Sequence, residues 1–248
     1  MSSESSPTPR LPHLPRVFAV LALFAVSFAY VEAAAVVYLR ALYEPIHQHY
    51  FPGRAPGDLL PIVRLEQLQA REPQATHWLG VELTREFATM LLLAAAALAV
   101  ARDFRQWLAA FMIAFGLWDI FFYLFLNLLI DWPGSLNDWD LLFLLPVPWV
   151  GPVWAPLVVA GSVVAAGVLI LRREAAGRPP LRLGWVQAAA LVVGGLVIVL
   201  AFCWDFENTA EGRPPNAFPW PIFATGEAIG LLGLFHACLT TAHSTANS

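Results

Sequence analysis

The sequence predicts an all-α polytopic membrane protein, a bundle of about six transmembrane helices with both termini in the cytoplasm. Hydrophobic residues make up 58% of the chain and charged residues only 13%, whereas about 25% of the residues in a soluble domain are charged. Six apolar runs approach the roughly 20 residues that a helix needs to cross a bilayer. The composition therefore excludes an ordinary soluble domain, and the lipid bilayer is the first expected partner.

The apolar runs are separated by polar or Pro-rich segments. The predicted spans are residues 17–39, 79–101, 106–130, 150–171, 184–204 and 219–241. Residues 1–15 are polar and Pro-rich, which predicts a disordered tail, and residues 242–248 form a second tail. Residues 16–241 are expected to form one helix-bundle domain. The first run is too long for the apolar part of a cleaved signal peptide, so it is expected to remain as a helix.

The distribution of arginine orients the bundle. All the positively charged side chains are arginines, and many lie in the N-terminal tail or in the loops after the second and fourth spans: Arg10, Arg16, Arg102, Arg105, Arg172, Arg173, Arg178 and Arg182. The other loops carry more acids, although the first of them also carries arginines. Cytoplasmic loops are enriched in basic residues. Both termini are therefore predicted to be cytoplasmic, in a bacterial cytoplasmic (inner) membrane.

Charge and cysteine usage exclude several function classes. The net charge is −4 and the chain has no basic run, so nucleic acid is not an expected partner. Cys203 and Cys238 are predicted near opposite faces of the membrane and have no paired spacing, which disfavours a disulfide, a thiolate zinc site and an iron–sulfur cluster. A transmembrane haem usually needs two facing histidines at one depth. Only His236 lies well inside a span, so haem is also disfavoured.

Two segments on the predicted outer side are more structured than plain loops. Residues 58–71 repeat apolar side chains at roughly helical spacing, which predicts a short helix on the membrane surface or packed on the bundle. Residues 138–154 are apolar but contain Pro146, Pro148 and Pro152, which cannot continue a regular helix. This stretch is expected to dip into the outer leaflet with its free backbone groups facing protein or water.

Ionisable side chains within the spans concentrate in the predicted outer half of the bilayer. A charge at that depth is costly unless it is neutralised or paired, so such residues usually have a function. The candidates are Glu32 on the first helix, Glu82, Arg85 and Glu86 on the second, Asp119, Tyr123 and Asn127 on the third, and Glu227 on the sixth. Arg85 is expected to be the fixed counter-charge, and in the structural alternative it neutralises Glu82 or Glu86.

Helical spacing groups these candidates into faces, because residues three and four apart share a side of a helix. One stripe on the second helix consists of Trp78, Glu82, Arg85, Glu86 and Thr89. One stripe on the third helix consists of Gly116, Asp119, Tyr123 and Asn127. Both stripes are predicted to face the bundle interior. A small-residue face on the sixth helix, which would admit a neighbouring helix, consists of Gly226, Gly230, Gly233 and Ala237.

Histidines on the predicted outer side give a metal alternative. His47 and His49 form a His-x-His pair in the first outer loop, and His77 precedes the second span. With Glu82 or Glu86 they could bind a transition-metal ion on the outer face. The competing interpretation is that these are exposed loop histidines.

Two resemblances involve the same segments. The stretch from Trp118 to Tyr123, the sequence Asp138-Trp-Asp, and the Pro-rich stretch from Pro146 to Pro152 resemble a group of uncharacterised bacterial multi-pass membrane proteins, which implies no activity. The layout of Trp204-Asp205 before a loop and Gly226-Glu227 at the next helix resembles small membrane carotenoid cyclases. Those enzymes have Pro-x-Glu-Glu where this chain has Thr225-Gly-Glu-Ala, so their acid pair is missing.

Three functions fit these features. The first is a polar site that handles protons, cations or a small solute through Asp119, Glu32, Glu86 and Glu227, although the chain has no inverted internal repeat. The second is an enzyme that acts on a lipophilic, isoprenoid- or quinone-like substrate by carboxyl acid/base chemistry. The third is a non-catalytic subunit, or a homo-oligomer, whose acids pair with a partner. In that case Asp119 is expected to face outward.

Overall fold

The computed structural model describes residues 14–54, 57–144, 147–179, 181 and 183–246, with the backbone alone for residues 242–246. Most of the described residues are helical, and six of the helices are long and apolar enough to span a membrane. In order, the elements are α1 (Leu14–Tyr50), α2 (Leu65–Arg71), α3 (Ala75–Val100), α4 (Phe104–Ile130), β1 (Trp139–Phe143), β2 (Trp149–Pro152), α5 (Trp154–Ala175), α6 (Trp185–Cys203), α7 (Phe206–Ala210) and α8 (Trp220–Ala246). The predicted all-α class is confirmed, and the six helices indicate a multi-pass integral membrane protein.

The long helices form two groups. Helix α4 packs against α1, α3 and α5, and α6 packs along α8, while the contact between α5 and α8 is slight. One end of the bundle carries α2, the β1–β2 hairpin and α7, and we call it the hairpin end; the other is the opposite end. The hairpin end is the one that the arginine distribution predicts to face outward.

Glycines allow the helices to approach closely at two interfaces, α4–α5 and α6–α8. A Cβ on Gly167 of α5 would lie 2.6 Å from the Ala109 carbonyl oxygen of α4. On α8, a Cβ on Gly226 would lie 2.8 Å from the Gly194 carbonyl oxygen of α6, and the reverse contact is equally close. Gly233 meets Ala190 of α6 in the same way. The small-residue face predicted on the sixth spanning helix therefore packs against α6, as such faces do in membranes.

Helix ends differ from the predicted spans at both termini. Helix α1 is already present at Leu14, before the predicted start at residue 17. It also runs beyond residue 39 to Tyr50, since polar side chains there have partners: Gln48 donates to Glu44 at 3.0 Å. Helix α8 continues to Ala246, because no glycine or proline interrupts it. The rest of the predicted N-terminal tail, residues 1–13, lies outside the described residues, as do Arg10, Pro146 and Arg182.

The Pro-rich segment after α4 forms an antiparallel hairpin instead of an irregular stretch. Asp140 pairs with Gly151 and Leu141 with Val150, and the register shifts between Leu141 and Phe143. Strands replace the expected irregular backbone because they satisfy backbone groups that proline prevents a helix from pairing. Strand β2 packs on the end of α6, where a Cβ on Gly151 would lie 2.9 Å from the Phe202 ring.

The segment before α3 is only partly helical. Residues 57–64 are extended or turn-like, and only Leu65–Arg71 form α2, half the length that the spacing predicts. Two contacts tie the segment to the end of α1: His47 Nε2 lies 2.6 Å from the Pro61 carbonyl oxygen, and Tyr50 donates its hydroxyl to the Gln67 carbonyl at 3.2 Å. These contacts leave the segment lying across the hairpin end of α1.

Replacing Gly194 with leucine is expected to destabilise the protein by about 2 kcal/mol, because the new side chain would force the backbones of α6 and α8 apart. The matched control is Gly195→Leu, since nothing lies within 4 Å of a Cβ at that position. The measurement is the thermal unfolding midpoint of each purified variant in mild detergent. Equal midpoints for the two variants would contradict the glycine-dependent interface.

Candidate functional site

A cavity of about 700 Å³ opens between the hairpin-end halves of α1, α3 and α4. The segment before α2 and strand β1 complete its walls. Among the described residues, its lining reaches no deeper than Glu32 on α1, Thr89 on α3 and Trp118 on α4. Below that level the helices close together around small and aliphatic side chains, and Ala25, Leu93 and others are fully buried. The cavity is thus confined to one half of the bundle.

Five of the predicted site residues and their counter-charge meet at this cavity. The residues in its lining are Glu32, Glu82, Arg85, Glu86, Asp119 and Tyr123. They come from three different helices, so the two predicted stripes face the interior over most of their length. The exceptions are described below.

An ion-pair bridge crosses the cavity floor from α3 to α1. The Arg85 guanidinium pairs with Glu82 on its own helix and with Glu32 on α1. Thr89 donates its hydroxyl to the second oxygen of Glu32 at 2.7 Å. The Glu32 side chain is only 7% exposed, so its charge depends on these partners. Arg85 thus contacts Glu32 on α1 as well as Glu82 on its own helix.

Glu86 connects α3 to the hairpin. Both of its carboxylate oxygens accept from the Leu144 backbone N–H just after β1, at 3.1 and 3.2 Å. This contact satisfies a backbone donor at the point where the strand ends. It also holds the hairpin over the cavity. Glu86 is buried, and its position on the inward face agrees with the predicted stripe.

A second polar cluster lies where α1, α4 and β1 meet. Tyr123 donates its hydroxyl to Asp140 at 2.8 Å, and Arg40 Nη2 lies 3.9 Å from the other Asp140 oxygen. The Arg40 guanidinium stacks 3.8 Å from the centroid of the Trp132 ring, a cation–π contact. Burial raises the pKa of Asp140, while Arg40 and the Tyr123 hydroxyl oppose that rise. The cluster fixes Tyr123 and leaves Asp140 with partners on two helices.

Asp119 differs from the other acids of the cavity. It lies near the middle of α4, one turn before Tyr123, and its side chain is part of the cavity wall. In the part of the chain that the structure describes, no group hydrogen-bonds to its carboxyl and no cation pairs with it. Its electrostatic neighbour is Asp140, another acid. Asp119 is therefore the acid that is open to a molecule in the cavity.

Two predicted site residues lie elsewhere. Glu227 on α8 accepts from the Ser162 hydroxyl of α5 at 3.2 Å, so it links two helices and does not line the cavity. Asn127 is exposed and donates to the Pro133 carbonyl at 2.9 Å, which holds the loop after α4. Asn127 lies on the same helical face as Asp119 and Tyr123, as the spacing predicts. At the level of Asn127, however, this face lies beyond the cavity.

The three histidines have different neighbours. His47 is bonded to the Pro61 carbonyl, His49 contacts Arg71, and His77 is exposed in the first turn of α3. Within the described ranges, no group of three or more histidine, cysteine or acidic side chains is placed to hold a metal ion. The histidine-based metal alternative has no geometric support there.

Arg40 and Asp140 belong to the site, but sequence reasoning did not single them out. Both were counted as charges in outer loops, because the span prediction ended the first helix at residue 39 and treated the segment around Asp140 as irregular. The available signal was the pair Asp138-Trp-Asp140 inside an otherwise apolar stretch. An acid embedded among apolar residues is usually paired.

Comparisons with family models, with curated proteins and with solved structures found no match to this chain.

The arrangement combines a shared ion-pair bridge, a fixed phenol and an open carboxyl around a partly open cavity. A carboxyl in such a place can accept a hydrogen bond, pair with a cation or exchange a proton with a bound molecule. The other acids of the deep part, Glu32, Glu82, Glu86 and Asp140, are held by protein groups, so their main effect is to set the electrostatic field of the cavity. The remaining wall is largely aliphatic and aromatic, as is usual in small-molecule pockets.

Replacing Arg85 with methionine is expected to lower stability by about 3 kcal/mol, because Glu32 and Glu82 would remain buried without their cation. The additional changes Glu32→Gln and Glu82→Gln are expected to restore much of that loss. Arg213→Met is the control, since the Arg213–Glu211 pair is more than half exposed and such pairs contribute little. Thermal midpoints in detergent report the result. An unchanged midpoint for Arg85→Met would refute the bridge.

The raised pKa of Asp140 predicts a pH dependence with a definite sign. Because the folded chain keeps the Asp140 proton to higher pH than the unfolded chain, stability falls as pH rises from the ordinary aspartate pKa through the raised one. Asp140→Asn removes this titration. The stability of the wild type relative to Asp140→Asn should therefore decrease between pH 4 and pH 8, measured as thermal midpoints. A difference that increases with pH would contradict the assignment.

Proposed function

We propose that this protein binds a small, partly apolar solute in the cavity at the hairpin end, and that Asp119 contacts the polar part of that solute. Glu32, Glu82, Glu86 and Arg85 form the charged floor of the site, and Tyr123 is held at its rim. The proposal keeps the solute-handling function predicted from the sequence and names Asp119 as the group that contacts the solute.

One observation carries the proposal: the Asp119 carboxyl faces the cavity without a hydrogen-bond partner among the described residues. An unpaired acid in the middle of a membrane-spanning helix is costly. The neighbouring acids have each been given a partner by the fold. A solute that pairs with Asp119 would remove the free-energy cost of keeping this carboxyl unpaired in the helix.

The size of the cavity favours a molecule over a bare ion. About 700 Å³ is within the range of roughly 300 to 1,000 Å³ typical of small-molecule pockets, whereas a water molecule occupies about 30 Å³. The lining also stops midway along the helices, above tightly packed small residues. A continuous path for protons or cations would need polar groups through that packed half.

A membrane enzyme is the second candidate, and the composition of the cavity wall favours it. Most of the wall is apolar, which suits a lipophilic substrate, and Asp119 lies one helical turn from the phenol of Tyr123. A carboxyl within reach of a bound substrate could act as its general acid. This alternative shares the binding step with the proposal and adds chemistry at Asp119.

The subunit alternative expected Asp119 on the outer surface of the bundle, where a partner could pair with it. Asp119 lies in the cavity wall instead. Its position argues against that use of Asp119 and favours a ligand that enters the bundle.

The proposal is tested by asking which small molecules the protein retains. Purified protein in mild detergent is incubated with a small-molecule and lipid extract of the cells that express it, then washed and analysed by mass spectrometry. Val36→Trp fills the cavity, and Val31→Trp is its matched control, because Val31 lies on the same helix but is 59% exposed and outside the lining. Asp119→Asn removes the charge without changing the shape.

Wild type and Val31→Trp are expected to retain the same compound, and Val36→Trp and Asp119→Asn at least about tenfold less of it, a loss of about 1.4 kcal/mol in binding. The amount of each variant in the membrane fraction should be unchanged. Equal retention by all four proteins would overturn the proposal.

A further inference from the structure

We infer that the solute of this cavity is an amphipathic organic cation, an ammonium or similar centre attached to an apolar body. The inference rests on the proposed function and specifies its ligand by charge. Three features support it: the charge balance of the lining, the aromatic groups beside Asp119 and a cation–π contact already present in the wall.

Acids outnumber bases in the cavity lining. The acids are Glu32, Glu44, Asp58, Glu82, Glu86, Asp119 and Asp140, and the arginines are Arg40, Arg64 and Arg85. Toward the mouth, Glu44 is also paired with Arg54. In the deep part, Arg85 is shared between two acids, and Arg40 lies closest to Asp140. Among the arginines that the structure describes, none pairs with Asp119.

The excess of acidic residues favours a positively charged ligand over a negatively charged one. An anion would be repelled by several carboxylates in a region of low dielectric constant, where such interactions are strong. A cation would instead supply the partner that Asp119 lacks.

Aromatic rings next to Asp119 suit a cation with little bound water. Trp118 precedes Asp119 in the sequence, lines the cavity and lies 6.1 Å from the ring of Phe122, which also lines it. Aromatic faces attract organic cations, and quaternary ammonium groups are commonly bound this way. The same wall already holds one organic cation against an aromatic ring, the Arg40 guanidinium over Trp132.

The apolar part of the wall accounts for the rest of the ligand. Val36, Leu141 and Phe143 are among the aliphatic and aromatic side chains that line the cavity above the acids. A metal ion or a proton would leave these apolar side chains without a packing contact. An apolar body joined to the charged centre would cover it.

The test uses three probes of similar size and different charge: tetraphenylphosphonium, tetraphenylborate and neutral triphenylphosphine oxide. Binding to the purified full-length chain is measured by equilibrium dialysis, with protein-free detergent as the baseline. The variants are Asp119→Asn, Val36→Trp and the control Asp131→Asn. Asp131 ends the same helix and is exposed outside the lining, in a left-handed conformation that asparagine also adopts.

Tetraphenylphosphonium is expected to bind the wild type and Asp131→Asn equally, about tenfold more weakly to Asp119→Asn, and not to Val36→Trp. Tetraphenylborate is expected not to bind above the baseline. Equal or tighter binding of the borate or of the neutral probe, or tetraphenylphosphonium binding that is unaffected by Asp119→Asn, would overturn the inference. So would the absence of tetraphenylphosphonium binding.

The two proposals fail separately. If the neutral probe binds in a way that Val36→Trp abolishes and Asp119→Asn does not weaken, the cavity is a binding site and the inference about charge is wrong. If no probe binds and the four proteins of the extract experiment retain the same compounds, the proposed binding site itself is wrong.

Discussion

The ion-pair bridge from Arg85 to Glu32 and Glu82 is the interaction on which the site depends. Helices α1 and α3 both pack on α4 but make little direct contact with each other, and the cavity occupies the gap between them. Arg85, with the help of Thr89, spans that gap at its base. Without this link the two walls would present uncompensated acids to the low-dielectric half of the bundle. The bridge therefore compensates part of the negative charge of the floor and sets the separation of the walls.

The remaining contacts close the cavity from above. Glu86 holds the end of β1 through the Leu144 amide, and Asp140 on the same strand is held by Tyr123. His47 fixes the segment before α2 through the Pro61 carbonyl. Each contact ties a helix to a non-helical segment. The polar side chains of the spanning helices thus hold the segments above the cavity as well as its base. This explains why so many of them lie at one end of the bundle.

Sequence reasoning predicted the parts of the structure that depend on local pattern. Helix number follows from apolar length, and the inward faces of α3 and α4 follow from spacing at 3.6 residues per turn. Long-range pairing does not follow from such patterns. The partner of Glu32 is 53 residues away on another helix, and the hairpin that carries Asp140 depends on packing against α6. Glu227 shows the same limit, because depth in the membrane does not reveal which neighbouring helix a side chain meets.

Asp119 gains its significance from the acids around it. The fold gives Glu32 and Glu82 a shared cation, Glu86 a backbone donor and Asp140 a phenol and a guanidinium. Packing and hydrogen bonding are therefore able to satisfy carboxyl groups throughout this half of the bundle. At Asp119 the same fold supplies a cavity in place of a partner. Since a leucine there would remove the cost of a buried acid, the open carboxyl is best explained by a molecule that binds to it.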